Sequence, residues 1–571
     1  MGGLCQALEI YVLFCGYFCL KFIPLVLRME KKKTELLDIW PASPELAHAV
    51  MACESRSELL GLVQDQFETI GNEAAHLGAL GNWLLKTFST QMLSAAHIYV
   101  QPEILPRVVE GRFHVLCPER SIYRLVHPQG GVGVYYGVAE LNAFSGKLTL
   151  YDNCQVYAEH TEVIGRDHSR ANLIQDCKAS LYEHAHGIAN RSNQVQVYDY
   201  AQGRTSEENT ATNNLFSAYG HSSLTLDIPW QKVVAYGQPL IFDWGNNPIE
   251  FKQGGVLFQP DGNSKYADQS GVILFHKMEA CGYLRAYEAQ RDRRVVKPVT
   301  DLLPEVAREV YLQTENNRER IQVILDSFDY LAEQGLTGEA LEAAFPKELL
   351  LSHQVYTNKT GVEGSPKGDY YVLGDLVLTQ GDDRARGHFA DCAIGHVLAG
   401  EGMSLGHSLG VASGTGSVRG SNLLIGRDQS QLACDGTAKA LALGDSCVVA
   451  KGRSFVKATD RAQVRASEQT VTNLRGQAKG EFSGDARFVA EEDSSYICRE
   501  RAKGNKAHEY VNPATFYPAK ATKGLGTPTG TSEVPGAVTW IYTNNVKTAL
   551  ESYIQEQENN CSAKTGKGVS R

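Results

Sequence analysis

Ala438-Lys-Ala-Leu-Ala-Leu-Gly-Asp445, Ser446-Cys-Val-Val-Ala-Lys-Gly-Arg453, Ser454-Phe-Val-Lys-Ala-Thr-Asp-Arg461 and Ala462-Gln-Val-Arg-Ala-Ser-Glu-Gln469 run in phase, and the same eight-residue repeat spans Asp435 to Ala502. The first column, Ala438, Ser446, Ser454, Ala462, Thr470, Ala478, Ala486, Ser494 and Ala502, uses only Ala, Ser and Thr. Two positions on stand Ala440, Val448, Val456, Val464, Thr472, Gly480, Phe488 and Tyr496; four positions on stand Ala442, Ala450, Ala458, Ala466, Leu474, Phe482, Ala490 and Cys498. A fourth column is Gly or acidic: Gly444, Gly452, Asp460, Glu468, Gly476, Gly484, Glu492 and Glu500. The first three columns share one parity, so in a strand they point to one face. Lys439, Leu441, Arg453, Lys457, Gln463, Arg465 and Arg487 take the alternate positions, most of them expected in solvent. A strand of about five residues and a Gly- or acid-containing corner of about three divides the octad naturally. Two octads per coil give a flattened solenoid of about 16 residues per turn, narrow enough for Ala and Ser to fill; a triangular coil of three octads leaves a core that such side chains cannot fill.

Working outward, the comb recurs more weakly from Leu148. Its first column there is Thr161, Ser169, Cys177, Ala185, Asn193 and Ala201, its second Val163, Ala171, Ala179, Gly187, Val195 and Gly203, and its third Gly165, Leu173, Leu181, Ala189, Val197 and Thr205. After a polar break at 202–213 bulkier residues keep the spacing, Leu224, Leu226, Val234, Leu240, Phe242, Val256 and Phe258, so a first solenoid block is expected over 148–277 and a second over 366–502. Between them, Leu302, Val306, Val310, Ile321, Ile324, Leu325, Phe328 and Leu331 recur at three- and four-residue steps and predict a helical insertion or hinge over 300–350, with Gly335 as a C-cap and Thr337 as an N-cap. Residues 29–140 read as a helical cap grading into strands: Ser43 precedes Pro44, and Ser55 with Glu58 forms a capping box. Residues 503–571 read as a C-terminal cap and polar tail with one helical stretch over 538–557. The fold class expected is therefore mainly β, a short-period β-solenoid with an α-helical N-terminal cap and a helical insertion.

These columns resemble those of the octapeptide-repeat proteins of bacteria and their phages, with their small-x-Val-x-Ala-x-Gly/Asp-x unit. The resemblance implies a β-solenoid and says little about activity.

With 571 residues, 43% apolar and 21% charged, the chain has a globular composition, and a net charge of −10 gives no basic footprint for nucleic acid. Thirteen Cys without a CxxC pair read as reduced packing residues and favour a cytoplasmic location. The apolar run Ile10–Leu27 lacks a basic stretch before it and is followed by Lys31, Lys32 and Lys33; it reads as an over-extended start ahead of Met29, or else as an anchor that would hold the protein to a membrane.

Chemistry is harder to find. Asp167, Glu183 and Asp199 lie 16 apart, as do His168 and His184, so each set would stack in a 16-residue coil, either as a metal ladder or as solvated corner residues. Gly414-Thr-Gly-Ser-Val-Arg-Gly420 lacks the Gly-Lys-Ser/Thr ending of a phosphate loop. Tyr151, Tyr157, Tyr182, Tyr198, Tyr200, Tyr219, Tyr236 and Trp244 suggest a stacking surface for sugars, or ordinary strand packing. No catalytic, cofactor-binding or metal-ligating residue is assigned, and no cofactor is expected. The reading is a non-enzymatic repeat scaffold presenting an extended surface to a protein or glycan partner. The alternatives are a carbohydrate-active β-helix enzyme, marked by a convergent carboxylate pair beside aromatics, and a phage- or mobile-element-encoded host-interaction protein.

Overall fold

The computed structural model describes residues 29–73, 77–100, 105–117, 123–206, 214–260, 266, 271–291, 295–362, 366–499 and 501–506. The apolar run Ile10–Leu27 and the helix expected over 538–557 lie outside them. The chain divides into two compact units, Met1–Gln259 and Pro260–Arg571.

Each unit is a two-sheet parallel solenoid in which successive strands alternate between the sheets, so every coil gives one strand to each. In the second unit Gln463–Ala466 pairs residue for residue with Lys479–Phe482, and Phe455–Ala458 with Val471–Leu474, a shift of 16 residues. The coil is thus two octads. Ala440, Ala442, Val448, Ala450, Val456, Ala458, Val464 and Ala466 line one continuous core. The octad divides four and four, not five and three. After Cys447–Ala450 the corner Lys451-Gly-Arg-Ser454 precedes Phe455–Ala458, and the first-column residue closes it with its side chain buried. The bulky departures fit because glycine faces them: a Cβ on Gly480 would meet the Phe482 ring at 2.4 Å.

The fourth column is explained by backbone conformation. Gly444, Gly452, Asp460, Glu468, Gly476, Gly484 and Glu492 all have φ between 57° and 71°, the left-handed region that Gly takes freely and Asp more readily than most. Gly and acid alternate down each edge because the acid caps the coil before it: Gly444 N–H donates to Asp460 (3.0 Å), Gly452 N–H to Glu468 (2.8 Å) and Gly476 N–H to Glu492 (2.7 Å). The next coil returns to Gly, and a Cβ on Gly476 would stand 3.1 Å from the Asp460 backbone nitrogen, tighter than an ordinary contact.

The two sheets of the second unit differ outside. Cys447–Ala450 and Gln463–Ala466 alternate exposed and buried, whereas Leu409–Ala412, Leu423–Gly426 and Phe455–Ala458 are buried on both faces. The helix Met278–Arg291 lies against this second sheet: Tyr283 Oη donates to Ala440 O (2.8 Å), Tyr287 Oη to Cys392 O, and Arg291 pairs with Asp375 at 3.4 Å. Leu441 and Lys457, at the alternate positions of which most were expected in solvent, are buried, and Lys457 lies 3.8 Å from Glu279 of that helix. The helices between Val299 and Ser352 use Phe328, Leu331, Leu336 and Leu341 to pack on Leu373, Ala390 and Leu405, at the ends of the first strands. Thr337 Oγ1 accepts from Ala340 N (3.3 Å), and Gly335 has φ 93°. Gly414–Gly420 is a turn leading into the strand Ser417–Gly420, not the loop-to-helix arrangement of a phosphate site. Lys503–Lys506 adds one more strand beside Arg487–Ala490.

In the first unit the coils begin before Leu148. Val108–Cys117 pairs with Gln129–Gly137, and Tyr123–Val126 with Ala139–Ala143, in the sheets that continue through Thr161–Gly165 and Arg170–Gln175. Their interior is filled by Phe113, Tyr135 and Leu148, so the small-residue comb is hidden there. The N-terminal helices bury Leu59, Val63, Phe67, Ile70, Leu80 and Trp83 against Leu116, Val134 and Tyr136. Ser55 Oγ accepts from Glu58 N (3.1 Å), and the Glu58 carboxylate reaches back to accept from Glu54 N (2.8 Å), one residue before the N-cap. Among the described residues no helix is long and apolar enough to cross a membrane.

Candidate functional site: the tyrosine edge of the first unit

Where the chain leaves Thr161–Gly165, Lys178–Leu181, Gln194–Val197, Leu215–Ala218 and Lys232–Ala235, it turns through a four-residue corner, and these corners stack into one edge. Its first positions are Arg166, Tyr182, Tyr198, Tyr219 and Tyr236. Adjacent tyrosine rings are nearly parallel, with centroids 4.6, 4.5 and 4.8 Å apart and interplanar angles of 5°, 8° and 4°. The spacing is that of strands in a sheet. The Arg166 guanidinium sits 4.9 Å over Tyr182 and 3.5 Å from Glu183. Third positions hold a second stack, His168 on His184 (5.3 Å) and His184 on Tyr200 (5.6 Å).

Between the two stacks run the acids. Asp152, Asp167, Glu183 and Asp199 all have φ between 51° and 59°. Gly137 N–H donates to Asp152 (2.8 Å), Asp152 N–H to Asp167 (3.1 Å) and Asp167 N–H to Glu183 (2.7 Å). This is the same inter-coil cap as in the second unit, so these carboxylates are acceptors for the backbone. Among the described residues no His, Cys, Asp and Glu group has the geometry to hold a metal ion.

Of the eight aromatic residues singled out in the sequence, four form the tyrosine stack and Tyr200 joins its neighbour. The other three are elsewhere: Tyr151 stacks on Tyr136 (5.1 Å) and donates to Glu68 (2.7 Å), Tyr157 is exposed on the opposite sheet, and Trp244 packs on Phe258. The set does not form a sugar-stacking platform, because each inner ring has both faces covered by its neighbours. Tyr198 and Tyr219 are thus left with their ring edges.

The opposite edge carries a ladder of buried amides. Cys177 N–H donates to Asn193 Oδ1, Asn193 N–H to Asn214 Oδ1 and Gln231 N–H to Asn247 Oδ1, each at 2.8–2.9 Å, while Asn214 Nδ2 donates to Gln231 Oε1 (2.9 Å). These groups satisfy corner backbone that would otherwise be buried without partners.

No family model, no curated protein and no solved structure matches this chain.

One exposed residue escapes the sequence reading. His160, Asp176, Ser192, Trp230 and Asn246 occupy the left-handed position of the corners on the amide-ladder edge. Short polar residues tolerate that conformation, and a bulky one is an outlier. Trp230 has φ 69° and is 74% exposed, so little packing repays the strain. Its signal in the sequence is the break in type between Ser192 and Asn246. Trp230→Asn is expected to raise stability by about 1 kcal/mol, read as a higher thermal midpoint; an unchanged or lower midpoint would show that the indole contributes packing.

Proposed function

We propose that this chain is a non-enzymatic repeat scaffold whose solenoid rows present an extended surface to a partner protein. The observation that carries this reading is the use made of the periodic polar groups. Asp152, Asp167 and Glu183, the carboxylates best placed for chemistry beside aromatics, accept backbone N–H groups of neighbouring coils, so each has an oxygen already engaged in holding the fold together. Solenoids of this kind offer long, regular surfaces without needing catalytic residues. A protein partner suits the tyrosine edge better than a glycan does, since sugar stacking needs open ring faces. A reducing compartment fits the nine described cysteines, none of them in a disulfide and seven of them buried.

The test separates the scaffold from a carbohydrate-active enzyme. Purified full-length protein is incubated with a panel of soluble neutral and acidic polysaccharides, and both new reducing ends and unsaturated products are assayed. No release above buffer is expected. Release that is lost in Glu183→Gln would replace the scaffold with the enzyme.

A further inference from the structure

We infer that the tyrosine edge of the first unit is a contact surface for a second copy of this chain. The inference rests on the scaffold reading and names its partner. Because Tyr182, Tyr198, Tyr219 and Tyr236 stack face to face at 4.5–4.8 Å, the row offers ring edges at a fixed repeat over roughly 14 Å. A partner that meets every rung must share that repeat. An α-helix advances about 5.4 Å per turn and falls out of phase by about 2 Å over three rungs; an extended chain, at about 3.4 Å per residue, falls out of phase sooner. A parallel β stack advances about 4.7–4.9 Å and stays in step. The tyrosine edge of another copy is such a stack.

The chemistry is self-complementary as well. A phenol hydroxyl both donates and accepts; Tyr198 Oη already donates to Gln196 Oε1 (3.1 Å) and keeps its acceptor lone pairs, so a two-fold axis that reverses one copy sets hydroxyls against hydroxyls across an isologous contact. The ends of the row are neutralised within each chain: Arg166 lies 3.5 Å from Glu183, and Lys252, one coil beyond Tyr236, is paired with Glu250. Tyrosine is also among the residues enriched where proteins meet. The contact is short, roughly 24 Å from Arg166 to Lys252, and so falls at the small end of specific interfaces, which fits a dimer that dissociates on dilution.

Sedimentation equilibrium of the full chain from about 1 to 100 μM tests this, with the concentrations set by the micromolar range expected of small interfaces. The weight-average mass is expected to rise from one chain toward two. Tyr198→Arg with Tyr219→Arg is expected to stay monomeric throughout, with an unchanged circular dichroism spectrum. Should that variant misfold, Tyr182→Phe with Tyr198→Phe, Tyr219→Phe and Tyr236→Phe keeps the stacked rings and removes only the hydroxyls, and is expected to weaken dimerisation at least tenfold. A wild-type chain that stays monomeric at every concentration overturns the inference. So does a dimer whose dissociation constant is the same in the phenylalanine variant. A monomer that releases no sugar sinks the dimer alone and leaves the scaffold reading standing.

Discussion

Val464→Asp is expected to unfold the second unit's solenoid around it, with a loss of more than about 4 kcal/mol. Val464 is 2% exposed in the strand Gln463–Ala466, stacked between Val448 and Gly480 in a core of Ala, Val and Leu. A carboxylate there meets no cation among the core residues, and the small neighbours leave little room for water to follow it. The matched control is the next residue. Arg465 points outward, is 78% exposed at its side chain and lies 3.5 Å from Glu481, a surface pair worth less than about 1 kcal/mol. Arg465→Asp is therefore expected to change the thermal midpoint little. Limited proteolysis with thermal unfolding reads both variants. Retained protease resistance in Val464→Asp together with loss in Arg465→Asp would reverse the inward and outward assignment on which the fold rests.

Acid is the second large lever. Burial lowers His114 and His127 to about 4 and His396 to about 3, with a further push from Arg112 at His114 and from Arg427 at His396. The contacts agree with neutral rings: His127 Nδ1 lies 2.9 Å from Tyr135 Oη, and Arg427 Nη2 is 3.1 Å from His396 Nε2, where a ring proton would meet the guanidinium. In each case the folded pKa lies below the unfolded value near 6.5. The stability is thus fully present above about pH 6.5 and is lost as pH falls toward 4, because the unfolded chain takes up protons that the folded chain refuses. Each of these three histidines contributes about 2.5 kcal/mol of loss by pH 4.5, and burial lowers His407 of the second unit as well, so both units are expected to weaken. Asp243 opposes this in the first unit, since burial raises its carboxyl and acid relieves that penalty. Denaturant melts at pH 7.5, 5.5 and 4.5 measure the slope, and His127→Asn is expected to reduce it. A midpoint independent of pH across this window would mean that these rings are protonated in the fold.

The parity of the repeat was legible because it is a statement about volume. Ala, Val and Ser recur at every second position only where a wall stands opposite, and two octads per coil follow from how little they fill. The acidic column was legible as corner chemistry, but the donor that Asp460 or Glu468 accepts from lies 16 residues back, and no local pattern announces it. Which outer face is covered could not be read from the octads, for Leu441 and Lys457 are buried by a helix outside the repeat. Ala280, Tyr283, Leu284 and Tyr287, all buried, are spaced for one helical face, yet the polar residues among them mask the stripe. The tyrosine edge was half legible. Tyr182 and Tyr198 are 16 apart, while Tyr219 and Tyr236 follow at 21 and 17, and the stack holds because the preceding strands stay in register, Gln194–Val197 with Leu215–Ala218 and Leu215–Ala218 with Lys232–Ala235. What spacing could not say is that stacked rings hide their faces from a ligand.

The carboxylate caps have a consequence for how such a chain changes length. Each cap links a coil only to the one before it, and the coils of Cys447–Phe482 differ little in their demands, so removing sixteen residues in phase excises one rung and closes the gap between equivalent neighbours. Removing eight does not. It keeps every inward side chain inward but carries all later strands to the other sheet, placing Arg465 and Glu481 where the helix Met278–Arg291 or its continuation expects Leu441 and Lys457. The period written in the sequence is eight, but the unit of permissible growth is sixteen.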